Sequence, residues 1–518
     1  METTSIGSST FDRLAADFGG QLIRPDDPAF DEARTVFNGM IDRRPALIAR
    51  PAGTADVIAA VAYAREEGLP IAVRCGGHSA AGHGTNDDGL VIDLSLMKGV
   101  RVDPARLVAR ANGGVNWGEY DRETQAFGLA TPGGRATTTG VGGFTLGGGY
   151  GWISPKYGLT CDNLVSADVV TADGRLLTAS ESENEELFWA LRGGGGNFGV
   201  VTSFEFRVYP VGPIVYAGLM AFPVERAAEV IGTWRDLVGE DAPDEIGTAA
   251  ALLTAPPEEF VPEWLQGKPA VGIVGCWCGD VAEGESYLKP LKDLGPAVDL
   301  FGPIPYRGLQ AMLDPMSPAG LRNYWRGEHL AELPDRAIEA FVEHDTREVD
   351  PHSFSLLFQH GGQVGRIANH ETAFSHRGAR FMIHPIGCWE DPQEDEKHVA
   401  WVKALSEAMR PYATGGAYLN FTADSTEDRV RAGYGDAKYK RSAGRAAPPP
   451  CPQPIHRSRN LSITPNCTRA KRACKVYPAR RAKHVARKTT RPREVFERPR
   501  GRAASSASGS RSGGCARA

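Results

Sequence analysis

The sequence predicts a mixed fold, α+β or α/β, and three observations carry that reading. Segments with helical and with strand periodicity alternate along the first 440 residues. Glycine, at 61 of 518 residues, gathers in three dense clusters between positions 76 and 199. The charge changes sign near position 441, which places the folded body before it. At about 100–200 residues per domain, the chain is long enough for two or more.

The elements follow in order. Residues 54–67 carry Val57, Ala60, Val61 and Ala64 at helical spacing, with Thr54 as the expected N-cap. Residues 69–74 form a short apolar run that ends on a glycine pair, like a strand feeding a turn. Residues 89–94, 164–171 and 200–209 read as further strands, the last alternating around Phe204 and Phe206. From about 211 to 407 the glycine clusters stop, and strands mix with amphipathic helices.

Composition narrows the function classes. No run of about 18 apolar residues could span a bilayer, so no membrane partner is expected. Residues 1–20 lack the basic start and apolar core of a secretory signal, so a cytoplasmic location is expected. Nine cysteines, scattered, suggest no disulfide framework. Cys276 and Cys278 lie close together without a partner pair, and read as buried strand thiols rather than a metal site.

From Arg441 onward stand 20 Lys and Arg against two acids, leaving 38 basic and 61 acidic residues in positions 1–440. The body therefore carries −23 and the tail +18. The tail is rich in Arg, Ala, Ser and Pro with few large apolar residues, and residues 442–518 are expected to be disordered. Three readings compete for it: a nucleic-acid-binding polycation, a linker or localisation segment, and out-of-frame translation of GC-rich coding DNA.

The first glycine cluster is Arg74-Cys75-Gly76-Gly77-His78-Ser79. Adjacent glycines after a strand let the backbone turn tightly with its N–H groups outward. Such a nest suits a pyrophosphate, with Arg74 expected to add positive charge. The second runs from Gly140 to Gly151, with Val141, Phe144, Leu146 and Tyr150 interleaved as no linker would have them. The third spans 191–201 and leads into a strand. Three clusters suggest one extended ligand touched at several points. Neither of the first two fits the G-x-G-x-x-G dinucleotide fingerprint between a strand and a helix, nor a Walker loop.

These segments, with Lys156-Tyr157-Gly158-Leu159-Thr160-Cys161-Asp162-Asn163 and Leu187-Phe188-Trp189-Ala190-Leu191-Arg192-Gly193-Gly194, carry a family resemblance. Residues from about 45 to 210 closely resemble the FAD-binding domain of the vanillyl-alcohol-oxidase/p-cresol-methylhydroxylase superfamily, its berberine-bridge-enzyme-like branch above all. The resemblance implies an α+β fold with a two-part FAD-binding domain of PCMH type over 1–212. An antiparallel-sheet substrate domain with helices is implied at 213–407, a return segment at 408–440, and the basic tail at 441–518. It implies FAD contacts at Arg74, Cys75, Gly76, Gly77, His78, Ser79, Gly140, Gly142, Gly143, Thr145, Gly148, Asp162, Asn163, Gly199, Val200 and Asn420.

In that family the histidine matching His78 forms an 8α-histidyl bond to the flavin, through attack of a neutral imidazole nitrogen. Many relatives add a cysteinyl bond to flavin C6. Ala136 occupies that cysteine's position here, and Cys161 does not align with it, so attachment through His78 alone is implied. Thr139 stands where the family motif has valine, near the position that governs oxygen access. That substitution leaves oxidase and dehydrogenase behaviour both open.

Gly416-Ala417-Tyr418-Leu419-Asn420-Phe421 resembles the family's Tyr-x-Asn-Tyr/Phe motif. The resemblance makes Tyr418 the base for a substrate hydroxyl or amine proton, provided a neighbour lowers its pKa from about 10. It makes Tyr150 a substrate-positioning residue. His360 and His376 stand on strand-like stretches, where they could meet substrate or be structural. The implied reaction oxidises a C–OH or C–N group of a small organic substrate by hydride transfer to flavin N5, with O2 as acceptor. Nucleic acid is expected to bind, if at all, only through the basic tail. After Lys438-Tyr439-Lys440-Arg441 the family continues into a closing helix and loop that this sequence lacks. The break coincides with the change in charge and favours out-of-frame translation, with a cost in stability or flavin loading.

Overall fold

In the computed structural model, which describes residues 8–345 and 349–444, the helix read from the 54–67 periodicity spans Thr54–Glu67 and buries Val57, Ala60, Val61 and Ala64. Its N-cap is Gly53, and Thr54 is already helical, a correction of one residue at the boundary. Gly68, at φ +67°, closes the helix in the left-handed conformation that glycine adopts freely.

This helix packs on a four-stranded sheet in which Leu47–Arg50 and Ile71–Arg74 lie parallel on either side of Leu90–Asp93. Leu90–Asp93 is buried at every position, which explains its unbroken apolar run. A second, antiparallel sheet orders Val100–Asp103, Val108–Asn112, Val200–Arg207, Leu164–Val170 and Leu176–Ser180 side by side. Phe204 and Phe206 point to one face of it, into a core with Trp117 and Tyr120.

The third sheet is ten-stranded and antiparallel throughout. Its middle consists of Ile214–Pro223, Pro269–Trp277, Ile246–Thr254, Phe354–Gln359 and Phe381–Trp389. Helices Ala227–Leu237, Asp335–His344 and Asp395–Met409 cover one face through Trp234, Phe341 and Leu405. The other face presents Phe354, Leu356 and Phe358, every second residue of one strand, toward Tyr150 and Trp152 of the glycine-rich half. Cys276 and Cys278 are buried in this second layer. The architecture is α+β.

After strand Ala413–Ala417, which pairs with Glu328–Leu330, the chain returns to the glycine-rich half. Helix Asp436–Ala443 brings Arg441 3.7 Å above the Trp189 ring. No helix among the described residues is long and apolar enough to cross a membrane. Of the tail expected to be disordered from 442 onward, Ser442 and Ala443 instead close helix Asp436–Ala443, and residues 445–518 lie outside the described residues.

Candidate functional site

Between the glycine-rich loops and the inner face of the ten-stranded sheet lies a cavity of about 2480 Å³. Small-molecule sites usually enclose about 300–1,000 Å³. This one has room for a large cofactor and a second molecule beside it.

The first cluster forms one wall. Strand Ile71–Arg74 ends at a turn in which Gly77 takes φ +72°. A Cβ on Gly76 would fall 2.4 Å from the Gly140 nitrogen, and one on Gly140 would fall 2.3 Å from the Gly76 nitrogen. The two glycine clusters therefore interlock backbone to backbone, an approach no side chain permits. The N–H groups of Gly77, His78 and Ser79 meet no acceptor among the described residues. N–H groups left free on a cavity wall suit an anion.

His78 lies on this wall with its ring stacked on Phe37 at 4.2 Å. Its Nε2 is 2.8 Å from the Thr138 hydroxyl and its Nδ1 3.4 Å from that of Thr139. Burial lowers its pKa to about 4, so the imidazole is neutral at physiological pH. Ala136 also lines the cavity.

The sheet forms the roof, through Trp325, Phe354, Leu356, Phe358, His384 and Ile386. His384 stacks flat on Phe421 at 3.9 Å, and its buried Nε2 has no partner among the described residues. Arg135 enters from the glycine side. Its guanidinium lies 4.9, 4.4 and 4.2 Å from the ring centres of Tyr150, Trp152 and Phe358. Its buried Nε is likewise unpartnered, and burial lowers its pKa to about 10. Cation–π contacts contribute about 0.5–2 kcal/mol each, against a cost of several kcal/mol for desolvating a charge.

A family model described as an FAD binding domain matches residues 45–180. An FAD-linked oxidoreductase of Dictyostelium discoideum is 32% identical over 396 residues, 74% of this chain and 81% of that protein. That match decides the family. The chain belongs to the FAD-linked oxidoreductases. The solved structure of 6-hydroxy-D-nicotine oxidase from Arthrobacter nicotinovorans superposes with a TM-score of 0.74 at 30% identity, covering 86% of this chain and 96% of that one. A glucooligosaccharide oxidase from Acremonium strictum, described with a 6-S-cysteinyl, 8α-N1-histidyl FAD, superposes with a TM-score of 0.73 at 26% identity. It covers 84% of this chain and 95% of that one.

The residues present fit FAD: unpartnered N–H groups suit its pyrophosphate, and the long cavity suits its length. Of the contacts expected of this oxidoreductase, Cys75, Gly76, Gly77, His78, Ser79, Gly140, Gly142, Gly143, Gly199 and Asn420 line the cavity. Arg74 lines it too, but its guanidinium pairs with Asp93 at 2.7 Å and donates to the carbonyls of Ala33 and Thr35. It braces the wall, and its charge is neutralised before any phosphate is reached.

Five expected contacts lie elsewhere. Thr145 donates to the Val141 carbonyl within helix Val141–Leu146, and Gly148 packs under Phe374. Asp162 pairs with Arg377 at 2.5 Å, with both side chains almost wholly buried. Asn163 donates to the carbonyls of Tyr157 and Leu159, and Val200 lies in the core beside Val57. These residues fix the loops from behind, where sequence motifs do not separate support from contact.

The expected catalytic tyrosines lie behind the wall as well. The Tyr150 hydroxyl donates to the Gln359 carbonyl, and Tyr150 does not reach the cavity wall. Tyr418 also lies off that wall, 2% exposed, with its oxygen accepting from the Gly149 N–H at 2.9 Å and the Asn420 amide at 3.3 Å. Both donors favour the phenolate, yet burial dominates and pushes its pKa up to about 12. His360 and His376 cluster around His329, at 4.9 and 5.3 Å from its ring, and line no part of the cavity. Sequence reasoning missed Arg135, His384 and Phe37. Arg135 stood next to the recognised Ala136, and its unpaired state needed three rings from distant segments to be seen.

Proposed function

We propose that this oxidoreductase holds FAD covalently through His78 alone and oxidises a C–OH or C–N group of a small organic molecule, with O2 as acceptor. The observation that carries the reading is the neutral His78 imidazole on the cavity wall, stacked by Phe37 and tethered by Thr138. A neutral ring keeps the lone pair that bonding to the 8α carbon requires. A second, cysteinyl bond has no thiol at position 136. Cys75, the thiol on the same wall, is pushed up to about 11 by burial and is not a thiolate.

FAD, when bound, supplies a two-electron acceptor that takes hydride from the substrate carbon and returns the electrons to O2 as H2O2. The chain supplies the rest. The aromatic roof excludes water and orients the substrate. Departure of hydride requires loss of the neighbouring O–H or N–H proton. His384, whose neutral ring lines the cavity and whose Nε2 has no partner among the described residues, takes this proton in place of Tyr418.

The test is anaerobic reduction of purified protein with a panel of alcohols and amines, followed by admission of air. The reading expects bleaching of the flavin by one class, rapid return of colour, and one H2O2 per substrate. Reduction that persists in air would make the protein a dehydrogenase with another acceptor.

A further inference from the structure

Arg135, half-buried on the cavity wall, is unlike the buried cations of the molecule. Arg74 and Arg377 are paired with Asp93 and Asp162. Arg135 forms no ion pair among the described residues, and the groups that act most on its charge are Tyr150, Tyr418, Cys276 and Tyr306. Its surroundings are the rings of Tyr150, Trp152 and Phe358, and its Nε is sealed from solvent with no acceptor among the described residues. Rings attract a cation through their faces but accept no in-plane hydrogen bonds from its five N–H donors. Such a guanidinium is completed by a planar anion that takes two of those donors.

The cavity beside it supplies space and a matching lining. The roof is apolar and aromatic, through Trp325, Phe358 and Phe421, and His384 adds one further unpartnered nitrogen. A residual charge in an apolar slot selects an organic anion with an apolar body over a sugar, whose hydroxyls would find few partners there.

We infer that Arg135 binds the carboxylate of the substrate, so that the protein acts on small aromatic carboxylic acids bearing the C–OH or C–N group to be oxidised. This rests on the oxidoreductase reading above for the word substrate. The anion site itself rests on Arg135 and its rings.

The experiment is calorimetric titration of the purified holoprotein with phenylacetate and with its neutral isostere phenylacetamide, neither of which can be turned over as an alcohol or amine. Wild type is expected to prefer the carboxylate by about 10- to 100-fold, the value of a charge-assisted bidentate pair. Arg135→Leu is expected to bring the two affinities within about threefold, and Arg135→Lys to keep part of the preference. Equal affinities in wild type, or a preference that survives Arg135→Leu, would overturn the inference. So would an Arg135→Leu variant with a shifted flavin spectrum and an intact preference, because Arg135 would then serve the cofactor. Flavin content, read from the visible spectrum of each sample, separates the two claims. A flavin-loaded protein without the preference refutes the anion site alone, and a flavin-free protein that keeps it refutes the oxidoreductase reading alone.

Discussion

At the scale of single residues, the cavity wall is governed by which groups are left without protein partners. His78 is kept neutral by burial, with its folded pKa near 4 against about 6.5 for a free imidazole. Covalent flavin incorporation into apoprotein should therefore proceed at a constant rate from pH 8 down to about 5, and fall as pH approaches 4. A fall centred near pH 6.5 would place the ring in water instead. For proton removal, His384→Gln should lower kcat by about 10²-fold or more, while Tyr418→Phe should lower it by less than tenfold. Steady-state assays on both variants check this, and the reverse order would return the role to Tyr418.

At the scale of elements, the loops that shape the cavity are fixed by contacts on its far side. The Asp162–Arg377 pair joins the 160–163 turn to the segment after Phe374, with side chains 4% and 2% exposed. Arg377→Met should destabilise the protein by about 3–5 kcal/mol, because it leaves a carboxylate buried without its cation. The double variant Asp162→Leu/Arg377→Met should recover most of that loss, and urea unfolding of the three proteins measures it. Helix Thr54–Glu67 and strands Leu90–Asp93 and Val200–Arg207 were legible in the sequence because burial imposes their periodicity directly. Helix Val141–Leu146 was not, because four-residue spacing is obscured where glycine replaces apolar residues for close packing. Thr145, Asp162 and Asn163 stand in the same motifs as the cavity-lining glycines, and their partners within the protein could not be read from the motif.

At the scale of the whole molecule, several histidines are buried in the neutral state. His329, His360 and His384 are 1%, 0% and 4% exposed. Burial holds His360 near pKa 4, and His329 and His384 well below the ordinary value. The unfolded chain thus binds more protons below about pH 6.5, so their stabilisation is complete above that pH and is lost as pH falls. Each contributes a loss of up to about 1.4 kcal/mol per pH unit in this window. The urea midpoint should drop markedly between pH 7 and pH 5, before most carboxylates titrate, and a flat profile would contradict the neutral burial. The ten-stranded sheet that carries His384 appeared in the sequence only as strands mixed with helices. Its register sets Phe358 opposite Met382 and Leu356 opposite His384, pairings between strands that no local pattern reveals.

The central claim is a flavin bonded to His78. Its most direct test is to denature the purified protein in acid, separate it on a gel and view it under ultraviolet light, with intact mass measured alongside. The account predicts fluorescence that travels with the band and a mass raised by one FAD, both absent from His78→Ala. Flavin released on denaturation of the wild type, or retained by His78→Ala, would contradict it.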